Sequence, residues 1–136
     1  PDHLLVYPVH PNPNVRTVVE NSLGGIPNIL LCAPLPYVGF IELMRMASLI
    51  LTDSGGVQEE APTLKKPILV LREKTERPEG VRAGYAHLVG TDPKKILKAS
   101  LAALKKGCQG RGPNPYGDGT ASRKILGELL KKVTQH

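Results

Sequence analysis

Apolar residues along this chain come in short unbroken runs, and between the runs they recur with the spacing of a helix face. The first run, Leu4–Tyr7, predicts a strand, and its lack of alternation points to burial on both faces, as in parallel sheets. Pro8, Pro11 and Pro13 make the next segment a loop, because proline has no N–H to give to a ladder. Asn12 followed by Pro13 predicts a helix start, with Asn12 as the cap. That helix is expected to reach about Leu23 and to stop at Gly24-Gly25. A second strand is predicted at Ile29–Cys32, ended by Pro34 and Pro36. Tyr37–Ala47 then reads as a helix with Phe40, Leu43, Met44 and Ala47 on one face.

The third strand, Leu49–Thr52, runs into Asp53-Ser54-Gly55-Gly56, a sharp turn leading to a short helix over about Val57–Leu64. The fourth strand, Pro67–Leu71, is wholly apolar. A polar loop, Arg72–Thr75, precedes a short helix from Arg77 or Pro78 to Ala83 and a brief strand at His87–Val89. Asp92 caps a helix from Pro93 to about Lys106, with Ile96, Leu97, Ser100, Leu101 and Leu104 expected inward. Gly107–Gly119 is a loop, and Gly119 or Thr120 starts a last helix with Ile125, Leu126, Leu129 and Leu130 apolar. Strands alternating with helices predict an α/β fold, a Rossmann-like parallel sheet with crossover helices on both faces. At 136 residues the chain is expected to be one domain, 1–136.

Composition narrows the function classes. Aromatics are few, with no Trp, one Phe and four Tyr, which argues against stacking on single-stranded nucleic acid. The net charge of +6 gathers on lysines of apparent helix surfaces from Lys94 onward, so nucleic acid is not the expected partner. Cys32 and Cys108 have neither zinc-site nor disulfide-framework spacing, so no metal is expected and a reduced, cytoplasmic setting fits. No apolar stretch approaches a membrane span. The chain lacks an initiator Met and enters a strand almost at once, which suggests a fragment.

Four segments could carry chemistry. Thr52–Gly56 joins a strand end to a helix start, where free N–H groups favour phosphate; a tight turn with no ligand is the alternative. Behind it, one of Glu59 and Glu60 suits the helix start and the other could receive a vicinal diol, unless both are surface acids. Arg77, in Thr75–Glu79, could bind phosphate in bidentate fashion or pair with Glu76 or Glu79. Leu35, Tyr37 and Phe40 lie after the second strand, where prolines could hold backbone groups against a base; helical spacing alone favours Tyr37 and Phe40 as core residues of their helix. In addition, His10 sits among prolines and asparagines as a catalytic or structural histidine. Asn114–Gly119 looks like a rigid turn docking the last helix, with Asp118 as its cap.

Together YPVHPNPNV (Tyr7–Val15), LTDSGGVQEEAP (Leu51–Pro62), KPILVLREKTERPEGV (Lys66–Val81), LVGTD (Leu88–Asp92) and NPYGDGTAS (Asn114–Ser122) closely resemble the non-hydrolysing, bacterial-type UDP-N-acetylglucosamine 2-epimerases. The resemblance covers nearly the whole chain. It implies the C-terminal, UDP-binding portion of a two-domain fold like the GT-B glycosyltransferases, in a homodimeric enzyme without cofactor that serves polysaccharide biosynthesis. It implies Ser54, Gly55 and Gly56 at the diphosphate, Glu60 at the ribose hydroxyls, Phe40 and the backbone near Leu35 at uracil, and Arg77 near phosphate. His10 matches a position implicated in binding a second, activating UDP-GlcNAc. The family reaction inverts C2 of the sugar, through elimination of UDP to a 2-acetamidoglucal and its re-addition. The family's acid–base groups lie ahead of the point where this chain begins, so the fragment alone is expected to be inactive. Lys105–Pro113 is shorter than the family connection, which affects the angle of the last helix; in the family that helix reaches back to the N-terminal domain, so here its free apolar face is expected to promote self-association. A non-catalytic binding module is the alternative; TERPE and NPYGDG argue against a glycosyltransferase.

Overall fold

The computed structural model describes residues 3–133, so both ends of the expected 1–136 domain lie outside the described residues. Strands and helices alternate: β1 (Leu5–Pro8), α1 (Pro13–Leu23), β2 (Ile29–Cys32), α2 (Tyr37–Met46), β3 (Ile50–Thr52), α3 (Gly55–Glu60), β4 (Ile68–Val70), α4 (Pro78–Arg82), β5 (Ala86–Leu88), α5 (Pro93–Lys106) and α6 (Ala121–Val133). Every strand pairing is parallel, as expected when a helix carries the chain back to the starting edge. The strands fall into two ladders, β1-β2 and β3-β4-β5. Alternation fixes the direction of successive strands but not which of them share hydrogen bonds.

The chain divides into two bodies, the first ending at Leu43 and the second beginning at Met44. In the first, Leu5 pairs with Ile29 and Pro8 with Cys32. Asn12 caps α1 as expected, its side chain accepting from the Asn14 N–H at 2.9 Å. The expectation that β1 is buried on both faces fails: Leu5 is exposed, Val6 and Tyr7 are half-buried, and Leu30 of β2 is exposed. A two-stranded ladder has too few neighbours to cover both faces.

In the second body β4 is central, and Ile68, Leu69 and Val70 are all buried, with Tyr85 and Ala86 beside them. Tyr85 is anchored by its hydroxyl, which donates to the Gly112 carbonyl at 2.7 Å. The α3 helix starts two residues before the predicted Val57 and ends at Glu60 rather than Leu64. Ser54 is its N-cap, which places Gly55 and Gly56 in the first turn. It stops early because Pro62 has no N–H, and tight turns carry the chain on to Lys65. Along α5 the half-buried stripe is Ile96, Ala99, Ser100, Ala103 and Leu104, while Leu97 and Leu101, expected inward, are exposed. Ile96, Ser100 and Leu104 lie on the near side as expected, and Ala99 and Ala103 complete it in place of Leu97 and Leu101. On α6, Ile125, Leu126, Leu129 and Leu130 are exposed. No helix among the described residues is long and apolar enough to cross a membrane.

Asp118 does not cap a first-turn amide of α6. Its carboxylate accepts from the Thr120 N–H at 3.0 Å and from the Thr120 hydroxyl at 2.5 Å, which fixes the residue just ahead of the helix. These bonds, with a smaller contribution from Lys124, lower the Asp118 pKa to about 2. A depressed carboxylate contributes fully above the free pKa of ~3.9 and loses its contribution as pH falls through the folded value. An NMR titration of the Asp118 carboxyl carbon should therefore show a midpoint near 2; a midpoint at the free value would mean the Thr120 bonds are absent in solution.

Two glycines should respond oppositely to alanine. A methyl at Gly110 would stand 2.2 Å from Cδ1 of buried Tyr85. Gly110→Ala is expected to cost about 1–3 kcal/mol in urea unfolding, as overpacking does. At Gly127, within α6, the methyl would meet nothing within 4 Å. Gly127→Ala should stabilise by about 0.5–1 kcal/mol in the same measurement.

Candidate functional site

The turn from β3 into α3 is built by its own side chains. The Thr52 hydroxyl accepts from the Ser54 N–H at 3.0 Å, which bends the chain out of the strand. Ser54 is extended at φ −78° and ψ 132°, and its hydroxyl makes no capping bond to the helix it precedes. Neither Gly55 nor Gly56 has a positive φ, so the glycines supply the absence of a side chain rather than an unusual backbone. As the first residues of α3, they carry N–H groups with no partner inside the helix.

A fully buried side chain ties this turn to the loop after β4. The Gln58 amide donates from Nε2 to the Ser54 carbonyl at 3.1 Å, and its Oε1 accepts from the Thr75 hydroxyl at 2.7 Å. Thr75 in turn accepts from the Arg77 N–H at 3.0 Å. The sequence motifs contain Gln58 and Thr75 but assign neither a role. The signal was a polar residue on the inner side of a short helix, which must find partners when buried.

Arg77 reaches the turn directly. Its Nε donates to Glu59, its Nη1 lies 3.3 Å from the Glu76 carbonyl, and a methyl built at Gly55 would stand 3.7 Å from Nη2. The guanidinium therefore lies beside the first residue of α3. The Glu59 bond raises the Arg77 pKa further, and the group stays charged at any ordinary pH. The alternative pairing with Glu76 or Glu79 does not occur; Glu76 pairs with Arg72 at 3.4 Å. Of the two acids, Glu59 is thus bound to Arg77, and Glu60 is half-buried one residue on.

The Asn114–Gly119 turn, expected to dock the last helix, fixes its start through Asp118 and also holds α3 and α4. Asn114 Nδ2 donates to the Glu59 carbonyl at 2.8 Å and to the Thr63 hydroxyl at 2.7 Å, while its Oδ1 accepts from the Tyr116 N–H at 2.9 Å. The Tyr116 hydroxyl donates to the Arg77 carbonyl at 2.8 Å and accepts from the Gly80 N–H at 2.7 Å. Burial, ahead of the opposing Gly80 bond, raises the Tyr116 pKa, so the phenol keeps its proton.

The remaining candidates lie in the body that ends at Leu43. Phe40 is half-buried on α2, Leu35 is exposed just ahead of it, and His10 follows β1. His10 Nδ1 accepts from the Asn12 N–H at 3.1 Å, a structural bond that places the neutral ring's proton on Nε2. The same histidine lines a groove of about 310 Å³ with Arg16, Glu20, Cys32 and Pro34. Among the described residues no cluster of His, Cys, Asp and Glu could hold a metal ion.

Comparison with known proteins converges on one family. The family model for UDP-N-acetylglucosamine 2-epimerase matches residues 1–130. The Escherichia coli K12 UDP-N-acetylglucosamine 2-epimerase is 52% identical over 134 residues, 96% of this chain and 35% of that protein. The crystal structure of UDP-GlcNAc 2-epimerase from Neisseria meningitidis bound to UDP-GlcNAc superimposes with a TM-score of 0.88 at 43% identity, over 94% of this chain and 36% of that one. The Methanocaldococcus jannaschii enzyme in complex with UDP-GlcNAc and UDP gives a TM-score of 0.83 at 36% identity, over 96% of this chain and 36% of that one. The chain thus spans about a third of the length of the proteins it matches. With its matched motifs and its α/β fold in agreement, this chain belongs to the UDP-N-acetylglucosamine 2-epimerase family.

Proposed function

We propose that this chain is the UDP-binding part of an enzyme that interconverts UDP-GlcNAc and UDP-ManNAc by elimination and re-addition of UDP. The observation that carries the reading is the Arg77 guanidinium at Gly55, beside a Ser54 hydroxyl that caps nothing. Glu59 occupies Nε and leaves Nη2, the nitrogen facing Gly55, for an oxygen of the diphosphate. The Gly55 and Gly56 amides and the Ser54 hydroxyl add donors from the neighbouring backbone. Donors fixed in advance stabilise the charge that develops on departing UDP more than the charge of bound substrate, and that difference accelerates the step. Glu60 takes the ribose diol, and Phe40 with the backbone near Leu35 takes uracil. His10, at its groove, takes a second UDP-GlcNAc. The free thiols of Cys32 and Cys108 fit a cytoplasmic setting.

Calorimetric titration of this chain with UDP and with UMP tests the diphosphate assignment. UDP should bind at least about tenfold more tightly, the worth of one charge-assisted bond. Arg77→Ala should remove most of that preference and leave UMP little changed. Equal affinities for the two nucleotides in the unaltered chain would sink the assignment. Incubated with UDP-GlcNAc in deuterated water, the chain alone should exchange no hydrogen at C2; exchange would place the acid–base groups within these residues.

A further inference from the structure

Arg77 is the N-cap residue of α4, at φ −123° and ψ 58°, and its side chain makes no capping bond. That is an unusual choice for the position. An N-cap is normally Ser, Thr, Asp or Asn, whose side chain accepts from an N–H of the first turn. A guanidinium has no acceptor and cannot do this. The missing bond is made from 36 residues away: the Tyr116 hydroxyl accepts from Gly80 N–H, the third residue of α4. The same oxygen donates its proton to the carbonyl of Arg77 itself.

We propose that the Tyr116 hydroxyl is a positioning group for Arg77, capping α4 from a distant loop so that the guanidinium remains at Gly55. The inference deepens the diphosphate reading and rests on it for its functional consequence. Both backbone groups of Arg77 are tied, the N–H to Thr75 at 3.0 Å and the carbonyl to Tyr116 at 2.8 Å. With its main chain held on both sides, the side chain leaves from a fixed point. The sequence accommodates the tyrosine at one further place. A methyl on Gly80 would stand 2.7 Å from the Tyr116 oxygen, although Gly80 has no positive φ that would itself require glycine. Gly80 is therefore kept small by the ring that approaches it. Asn114 fixes the tyrosine's own backbone and reaches the Glu59 carbonyl, so the loop holds Arg77 and its carboxylate partner together.

Tyr116→Phe in the whole 136-residue chain removes the hydroxyl and keeps the ring. In the ¹⁵N-labelled protein without nucleotide, hydrogen exchange at the Gly80 amide should quicken about tenfold, the loss of one hydrogen bond. The Arg77 Nε–H resonance should move to the averaged position of exposed arginines. In titrations, the ratio of UDP to UMP affinity should narrow by about tenfold while UMP affinity holds. A purely structural role would lower the melting temperature and leave both the Arg77 resonance and that ratio in place, and that result overturns the proposal. If Tyr116→Phe does not fold, Gly80→Ala displaces the hydroxyl sterically and is judged by the same resonance and ratio. A wild-type chain that binds UDP no better than UMP refutes the diphosphate reading; the Arg77 resonance then decides the positioning role alone.

Discussion

The turn at Ser54 depends on one buried amide. Gln58 is fully enclosed, and each end of its side chain has a single partner: the Ser54 carbonyl for its nitrogen and the Thr75 hydroxyl for its oxygen. An unpaired buried amide costs about 1–3 kcal/mol, so the two loops it joins cannot drift apart cheaply. An ionised glutamate there could not donate to the carbonyl, and a leucine would take away the side-chain donor at the Ser54 carbonyl and the acceptor of the Thr75 hydroxyl proton. The chain thus ties the end of β3 to the loop after β4 by a bond whose failure is penalised at both ends. Thr75 passes the constraint to the Arg77 backbone, and Asn114 and Tyr116 close it from the opposite side.

This scaffold compensates for a short helix. α3 has only 6 residues, so its dipole alone is a modest source of positive potential. A single guanidinium placed beside its first turn supplies what the helix lacks, and a planar fork suits phosphate better than a lysine would. The cost is that Arg77 sits at a helix start where its side chain cannot cap. The local rule broken at Arg77 and the remote bond that compensates for it belong to one arrangement. Locally inconsistent residues of this kind are expected where function outranks stability.

Much of this was legible in the sequence, and the failures have physical causes. Asn12-Pro13 and Asp92-Pro93 announced their helices because capping is local chemistry. The Ser54-Gly55-Gly56 turn and Arg77 are each legible as candidates, but their meeting is not, because the 20 residues between Gly56 and Arg77 carry no record of distance. Boundaries slipped where proline and glycine compete, as at Pro62. Burial is the least legible property. A continuous apolar run predicted a two-face-buried β1, yet the run cannot say how many strands flank it. On α5 the apolar pattern places Leu97 and Leu101 inward, whereas Ala99 and Ala103 join Ile96, Ser100 and Leu104 on the half-buried side, because near approach favours small residues. The Asn114–Gly119 turn was seen as rigid, which it is, but its partners lie 36 to 55 residues away, beyond any local pattern.

Charge distribution separates recognition from attraction. The chain carries +6, but the candidate diphosphate site holds one cation, Arg77, already paired with Glu59, and Glu60 adds a second carboxylate nearby. By simple sum the site is not positive. Under the proposed reading, then, the diphosphate is selected by oriented donors: Nη2, the Ser54 hydroxyl and the amides of Gly55 and Gly56. The lysines of α5 and α6 add to the net charge, and physiological salt screens their fields beyond about 8 Å. Donors of fixed direction are also what a departing diphosphate requires, since they need no reorganisation as charge builds on it. The rigid lattice of Gln58, Thr75, Asn114 and Tyr116 is therefore the part of the site that converts one ordinary arginine into a directed one.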